Sequence, residues 1–208
     1  MMVKNNLVYL LDSKIYVNLT NLCTNDCKFC IRGLKDDVVG AHMWLETENI
    51  TAQDVIAQLK NFEDKIHSGV TFCGYGEPTI KIDVLKEVAK YIKENYPNTH
   101  VRVNTNGHGN AIHKRNILNE LNGIVDEFSI SLNGENESIY NELSQPKIEN
   151  AYEAMKSFAT EAVKSGFKTT LSIVTGYKNY QLDVAECEKI ATAIGASFRN
   201  REWLDNGY

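Results

Sequence analysis

Three of the five cysteines in this 208-residue sequence fall within eight residues, in Cys23-Thr24-Asn25-Asp26-Cys27-Lys28-Phe29-Cys30. The C-x3-C-x2-C spacing gathers three thiols on one loop, and thiolates are the soft ligands that hold iron–sulfur clusters or zinc. A four-iron cluster ordinarily takes four cysteines. A three-cysteine site therefore leaves one iron without a protein ligand, open to a substrate or cofactor. The alternative is a structural zinc site completed by a fourth ligand elsewhere, although no second C-x2-C and no H-x3-H pair is present.

The elements that must position this loop read as short apolar strands alternating with helical patterns, the signature of an α/β domain with a parallel sheet. Ile15–Leu19 is the first strand, with an extra strand at Leu7–Leu11 before it and Asp12-Ser13 as the turn. Ile31–Asn49 is a long connection without periodicity. Thr51 resembles an N-cap with Asp54 three residues on, and Val55, Ile56, Leu59 and Phe62 supply that helix's apolar stripe. Val70–Cys73 is the second strand. Val84, Leu85, Val88 and Ile92 mark the next helix, stopped before Pro97. His100–Val103, Phe128–Leu132, Lys168–Val174 and Ala196–Arg201 read as further strands, separated by helices around Ile117–Leu121, Ile139–Leu143, Tyr152–Ala162 and Val184–Ile194. About five or six β/α units result, fewer than the eight that close a TIM barrel. The expected fold is a partial, open TIM-type barrel with a parallel sheet, forming one domain over residues 1–208.

Polar and glycine residues recur at the carboxyl ends of these strands, the edge where barrels and open parallel sheets bind ligands. Cys23 to Cys30 follow strand one and Gly74-Tyr75-Gly76-Glu77-Pro78 follows strand two. Asn104-Thr105-Asn106-Gly107 follows strand three, and Ser131 and Asn133 end strand four. Glycines let backbone approach a ligand closely, and the Glu77 loop offers acceptors and a carboxylate that suit an ammonium group. A plain tight turn explains the same residues. Ser129 and Ser131 share one strand face, where they either meet a polar ligand or are satisfied by backbone. Cys187 falls on an apolar helix stripe and Cys73 ends a buried strand, so both read as packing residues. His42, His67, His100, His108 and His113 read as surface or core rather than ligands. Arg32, Asp36, Asp37, His42 and Trp44 in the long connection either shape a pocket or lie on a solvated loop.

The bulk properties set bounds. A net charge of −5, from 22 basic and 27 acidic residues, gives no strong nucleic-acid signal, because sequence-independent binding rests on Lys and Arg. No apolar run approaches a membrane span, and Met1-Met2-Val3-Lys4-Asn5-Asn6 lacks a signal-peptide core. The expected location is the cytoplasm, where clustered cysteines are metal or redox sites rather than disulfides.

Together, C-x3-C-x-aromatic-C after the first strand and a glycine–glutamate–proline loop after the second resemble the radical S-adenosylmethionine (radical SAM) superfamily. More narrowly, Phe72–Pro78, Val101–Gly107 and Ser129–Asn133 look like the short radical SAM proteins called TatD-associated, after a TatD-type hydrolase. The resemblance implies that Cys23, Cys27 and Cys30 each ligate one iron of a [4Fe–4S] cluster, with SAM's methionine amino and carboxylate groups on the fourth. It further implies that Gly74, Gly76 and Glu77 hold the amino group and that Phe29 lies near the adenine. Asn104, Asn106, Ser131 and Asn133 match positions that contact the ribose or carboxylate. Tyr75 stands where many members have glycine. The implied chemistry is reductive cleavage of SAM to methionine and a 5′-deoxyadenosyl radical that takes hydrogen from a substrate. An electron donor such as a flavodoxin or ferredoxin is implied, and no further catalytic side chain is required to form the radical. Two subtypes stay open: an activase making a glycyl radical on a partner protein, and a small-molecule enzyme resembling 7-carboxy-7-deazaguanine synthase. The alternative of another class is a non-enzymatic iron–sulfur or zinc-binding module.

Overall fold

The computed structural model describes residues 5–38 and 40–204. The chain opens with the antiparallel pair β1 (Val8–Leu11) and β2 (Lys14–Val17), turned by Asp12 and Ser13, both at positive φ. A two-residue hairpin follows within the long connection, β3 (Asp37–Val38) and β4 (Ala41–His42). Next come α1 (Ala52–Leu59), β5 (Val70–Phe72), α2 (Ile82–Asn95) and β6 (Val101–Thr105). Two short helices, α3 (Gly109–His113) and α4 (Leu118–Leu121), lead to β7 (Glu127–Ser131). The chain then runs through α5 (Glu137–Ser144), α6 (Ala151–Lys164), β8 (Lys168–Thr175), α7 (Val184–Ile194) and β9 (Ser197–Glu202).

The main sheet has the order β1-β2-β5-β6-β7-β8-β9. From β2 onward every neighbouring pair is parallel, so the six expected strands form a mostly parallel α/β sheet with β1 added at one edge. One face of β2, β5, β6, β7 and β8 is apolar: Ile15 and Val17, Val70 and Phe72, Val101 and Val103, Phe128 and Ile130, Leu171 and Ile173 are all buried. These join one core cluster with Val55 and Leu59 of α1, Leu85, Val88 and Ile92 of α2, Met155 and Phe158 of α6, and Cys187 and Ala191 of α7. Cys187 is thus a core residue, as its helical spacing predicts. The intervening residues, with the other parity, turn to the opposite face of the sheet.

The Thr51 cap is a complete capping box: the Thr51 hydroxyl accepts from Asp54 N–H while the Asp54 carboxylate accepts from Thr51 N–H. The sequence expectation of one helix through Phe62 is corrected. α1 stops at Leu59, and a tighter 3-10 stretch, residues 60–68, follows with Phe62 at non-helical φ −126°, ψ 22°. The helix expected at Ile117–Leu121 is present as α4, and α3 is an additional short helix before it, ended where Lys114 adopts the left-handed conformation. Among the described residues no helix is long and apolar enough to cross a membrane.

Candidate functional site

The loop after β2 carries the three thiols, and two neighbouring loops hold it. Its beginning is fixed by Glu48, which accepts from the Thr20 hydroxyl at 2.6 Å and from Asn21 N–H at 2.9 Å. Its middle docks on the carboxyl end of α5: Asp26 N–H donates to Ser144 O and Lys28 N–H to Leu143 O, while Thr24 O accepts from Lys147 N–H. Arg32, in a 3-10 turn just past Cys30, reaches back to Asn21 O, Asn25 O and the Asp26 carboxylate. Arg32 is therefore a clamp on the loop rather than part of a solvated connection. Asp36 and Asp37, by contrast, accept locally from Trp44 Nε1 and pair with His42.

All five cysteines are free thiols, and Cys23, Cys27 and Cys30 are partly exposed. Burial pushes the Cys23 thiol up to about 11, with the Glu77 charge adding to it. Burial and the two neighbouring thiols push Cys27 up to about 12. Burial also raises Cys30, while the Arg32 charge pulls all three down. Without a metal they are protonated at neutral pH; a bound cation would displace those protons. Asn25 N–H donates to Cys23 Sγ at 3.4 Å, and Asn106 Nδ2 lies 3.8 Å from the same sulfur. Among the described residues no three His, Cys, Asp or Glu side chains are grouped so as to hold a single metal ion. A cluster with one thiolate per iron asks for a different geometry.

The Gly74–Pro78 loop is packed against the cysteine loop by its glycines. A Cβ on Gly76 would lie 2.3 Å from Thr20 O and 2.5 Å from Leu22 O, and one on Gly74 would lie 2.0 Å from Asn18 Oδ1. Only glycine permits this approach, and it lets Glu77 N–H donate to Leu22 O at 2.8 Å. The Glu77 carboxylate is buried and filled by this chain. Its Oε1 accepts from Thr79 N–H, the Thr79 hydroxyl and the Thr105 hydroxyl, and its Oε2 accepts from Asn106 N–H. Burial pushes its pKa up, and those four hydrogen bonds oppose the rise. Tyr75 turns into a small second core with Tyr9, Val38 and Met43, its ring 5.2 Å from Trp44 and its hydroxyl on Lys35 O.

Asn106 is likewise committed: its Nδ2 donates to the Thr24 hydroxyl at 2.8 Å and its Oδ1 accepts from His108 N–H at 3.0 Å. Behind it lies a polar chain that the sequence gives no sign of. Thr24 Oγ1 is 2.8 Å from His108 Nδ1, His108 Nε2 is 2.9 Å from the Tyr140 hydroxyl, and Asn25 Nδ2 donates to that hydroxyl at 3.4 Å. His108 is buried, and burial pulls its pKa down to about 4, so the imidazole is neutral. Asn104 accepts from Arg102 Nε at 2.9 Å. Ser131 ends β7 half-buried; Asn133, left-handed, donates to Ser144 Oγ at 3.1 Å. Phe29 meets Tyr177 edge-on at 6.1 Å, and Tyr177 packs on Trp203 at 5.0 Å and stacks on Tyr180. That aromatic group is also invisible in the sequence, since its members come from three separate stretches.

Several buried acceptors have no partner in the chain: Asn18 Oδ1, Asn25 Oδ1 and Asn133 Oδ1. Each belongs to a loop or strand end around the cysteines, and a buried acceptor without a donor is costly. Soft thiols on one loop with orphan acceptors about them fit a cluster together with a ligand that brings N–H donors.

An open, mostly parallel α/β sheet with three free thiols on the loop after its first parallel strand defines a class of cofactor-dependent enzymes. The chain belongs to the radical SAM superfamily, whose family model matches residues 17–189. No curated protein sequence matches it significantly. Solved structures show the same fold at low identity. The Streptococcus suis protein SuiB, solved bound to precursor peptide SuiA, superposes with TM-score 0.67 at 15% identity over 95% of this chain and 41% of its own. Methylornithine synthase (PylB) gives 0.65 at 15% over 96% and 55%, and anSMEcpe with bound AdoMet gives 0.61 at 15% over 91% and 51%. The chain thus spans about half the length, or less, of these neighbours. Their likeness extends to the fold; the family generally uses a [4Fe–4S] cluster and SAM.

Proposed function

We propose that this chain binds a [4Fe–4S] cluster through Cys23, Cys27 and Cys30 and SAM at the adjoining strand ends, as a single radical SAM domain over residues 1–208. When bound, that pair would supply a 5′-deoxyadenosyl radical by one-electron reductive cleavage of SAM. The observation that carries the reading is the cysteine loop itself: three free, partly exposed thiols on a loop fixed by Glu48, Arg32 and the end of α5. The protein's own residues bind and position. Arg32 puts positive charge beside the thiols, which favours thiolate, and the Glu77–Thr105–Asn106 hydrogen bonds lock the second and third strand-end loops together. In this reading Gly74, Tyr75, Gly76 and Glu77 act through backbone groups, since the Glu77 and Tyr75 side chains have other partners. Asn104, Asn106, Ser131 and Asn133 face the SAM side, and Phe29 with Tyr177 supplies an aromatic wall for adenine.

We further infer that the sheet curls as a partial barrel. Six parallel strands, β2 and β5 to β9, stand where a closed TIM barrel has eight. The TatD-associated subgroup and a TatD-type partner rest on sequence stretches alone. A reductant such as a flavodoxin or ferredoxin, and a cytoplasmic location, go with the same reading.

Anaerobic iron–sulfide reconstitution, followed by assay for 5′-deoxyadenosine under strong reductant, tests it. A preparation with four irons and sulfides per chain that never cleaves SAM would sink the proposal. Stoichiometric zinc without iron would favour the binding module instead.

A further inference from the structure

The sheet face turned away from the helices is polar, and its character changes along the strands. Strand register sets Asn104, Ser129, Thr170 and Ser197 in one row across β6, β7, β8 and β9. Ser131, Ser172 and Arg199 form the next row on that face toward the carboxyl edge, and Val174 and Arg201 the one after it. Hydroxyls and amides thus give way to guanidinium groups at the edge where the cysteine loop lies.

Two arginines here differ in how they are satisfied. Arg102 donates to Asn104 Oδ1 and sits 3.6 Å from the Glu127 carboxylate. Arg201 has no carboxylate partner among the described residues, and its Nε is buried with no acceptor. It is the one nitrogen among the described buried side-chain atoms without a partner; the others are oxygens. A guanidinium N–H shut away from water and unbonded costs free energy unless a ligand supplies the acceptor. Burial raises the Cys73 thiol, while a hydrogen bond with Asn104 and the charges of Arg201 and Arg102 pull it down. Cys73 has the parity of Thr71 and lies in neither apolar cluster, so it faces this polar surface rather than the helix-side core, which corrects the packing role its position in sequence suggests.

Resting on the radical SAM reading, we propose that the β8–β9 part of this face, beside the Asn104 and Ser131 positions given to SAM, binds the substrate and that Arg201 holds an oxyanion of it, a carboxylate or a phosphoryl group. The planar fork of arginine matches either group through paired N–H donors. The neighbouring hydroxyls and amides suit a substrate that is polar along its length.

Arginine Nε–H NMR on the reconstituted protein, saturated with SAM, tests this with inorganic phosphate and with acetate as probes. The Arg201 signal is assigned by its loss in Arg201→Gln; should that variant not fold, Arg201→Lys removes the same signal and keeps the charge. A saturable shift in the millimolar range upholds the proposal, phosphate alone pointing to a phosphoryl substrate and acetate alone to a carboxylate. A shift no larger than chloride produces at equal ionic strength overturns it. So does a signal that responds to SAM itself and then to neither anion, which would give Arg201 to the cofactor. Formation of 5′-deoxyadenosine is assayed separately on the same preparation, so the radical reading and the anion site can fail independently.

Discussion

The Glu77 carboxylate accepts the Asn106 backbone N–H at 2.7 Å, joining the loop after β5 to the loop after β6. Its other oxygen gathers Thr79 and Thr105, so every hydrogen bond it makes to the chain is one it accepts. Asn106 in turn bonds Thr24 beside Cys23. A buried charge thereby sets the position of the cysteine loop through two intermediaries.

Replacing Glu77 by Gln tests that lattice. With the amide oxygen kept on the Thr79 and Thr105 donors, the new NH2 faces the Asn106 N–H, donor against donor. Unfolding free energy should fall by about 1–3 kcal/mol, the cost of an unsatisfied buried group. Urea denaturation of the metal-free protein measures it; a change within experimental error would show that the carboxylate is not needed as an acceptor.

Gly76→Ala should be worse than its size suggests. The added carbon meets two backbone carbonyls, of Thr20 and Leu22, which cannot rotate away. The expected result is lower thermal stability and less iron retained after reconstitution, because the two loops must part. Gly33→Ala is the control: nothing lies within 4 Å of a Cβ there, and a surface change of that kind falls within about 0.5 kcal/mol.

Cys27→Ala separates ligand from scaffold. The residue is partly exposed and belongs to neither core cluster, so circular dichroism and the melting temperature should hardly change. Iron content and the visible absorption of a [4Fe–4S] cluster should be lost together with SAM cleavage. Retention of a full cluster would remove Cys27 from the ligand set.

Much of this arrangement is legible in the sequence because it is written in local patterns. The β/α alternation, the capping box at Thr51 and the position of Cys187 all follow from periodicity and capping chemistry. The strand-end placement of the cysteines, Glu77 and Asn106 follows as well. What local pattern cannot show is which polar groups meet across long separations. Thr24 and His108 are 84 residues apart, and His108 and Tyr140 are 32 apart; each alone looks like an ordinary core or turn residue. Cys73 misleads for the same reason: an apolar strand precedes it, but its parity turns it to the polar face with Asn104. Glu77 reads as a free carboxylate only while Thr79, Thr105 and Asn106 are not known to surround it.

His108 gives the last prediction, through pH. Burial holds its folded pKa at about 4, opposed only by a backbone contact from Ala151, against an ordinary value of about 6.5 in the unfolded chain. The titratable side chain in hydrogen-bond contact with it is the Tyr140 phenol, itself pushed up by burial and neutral throughout this range. As pH falls below about 6.5 the unfolded chain takes up a proton that the folded chain refuses, so stability is lost on acidification and the loss levels off below about 4. The full difference is about 3 kcal/mol at about 1.4 kcal/mol per pKa unit. Urea titrations of the metal-free protein from pH 7 to pH 4 should show this slope, and His108→Gln, which does not titrate, should remove that share of it. Parallel pH profiles for the two proteins would mean that His108 is protonated in the fold and that its bonds to Thr24 and Tyr140 are arranged otherwise.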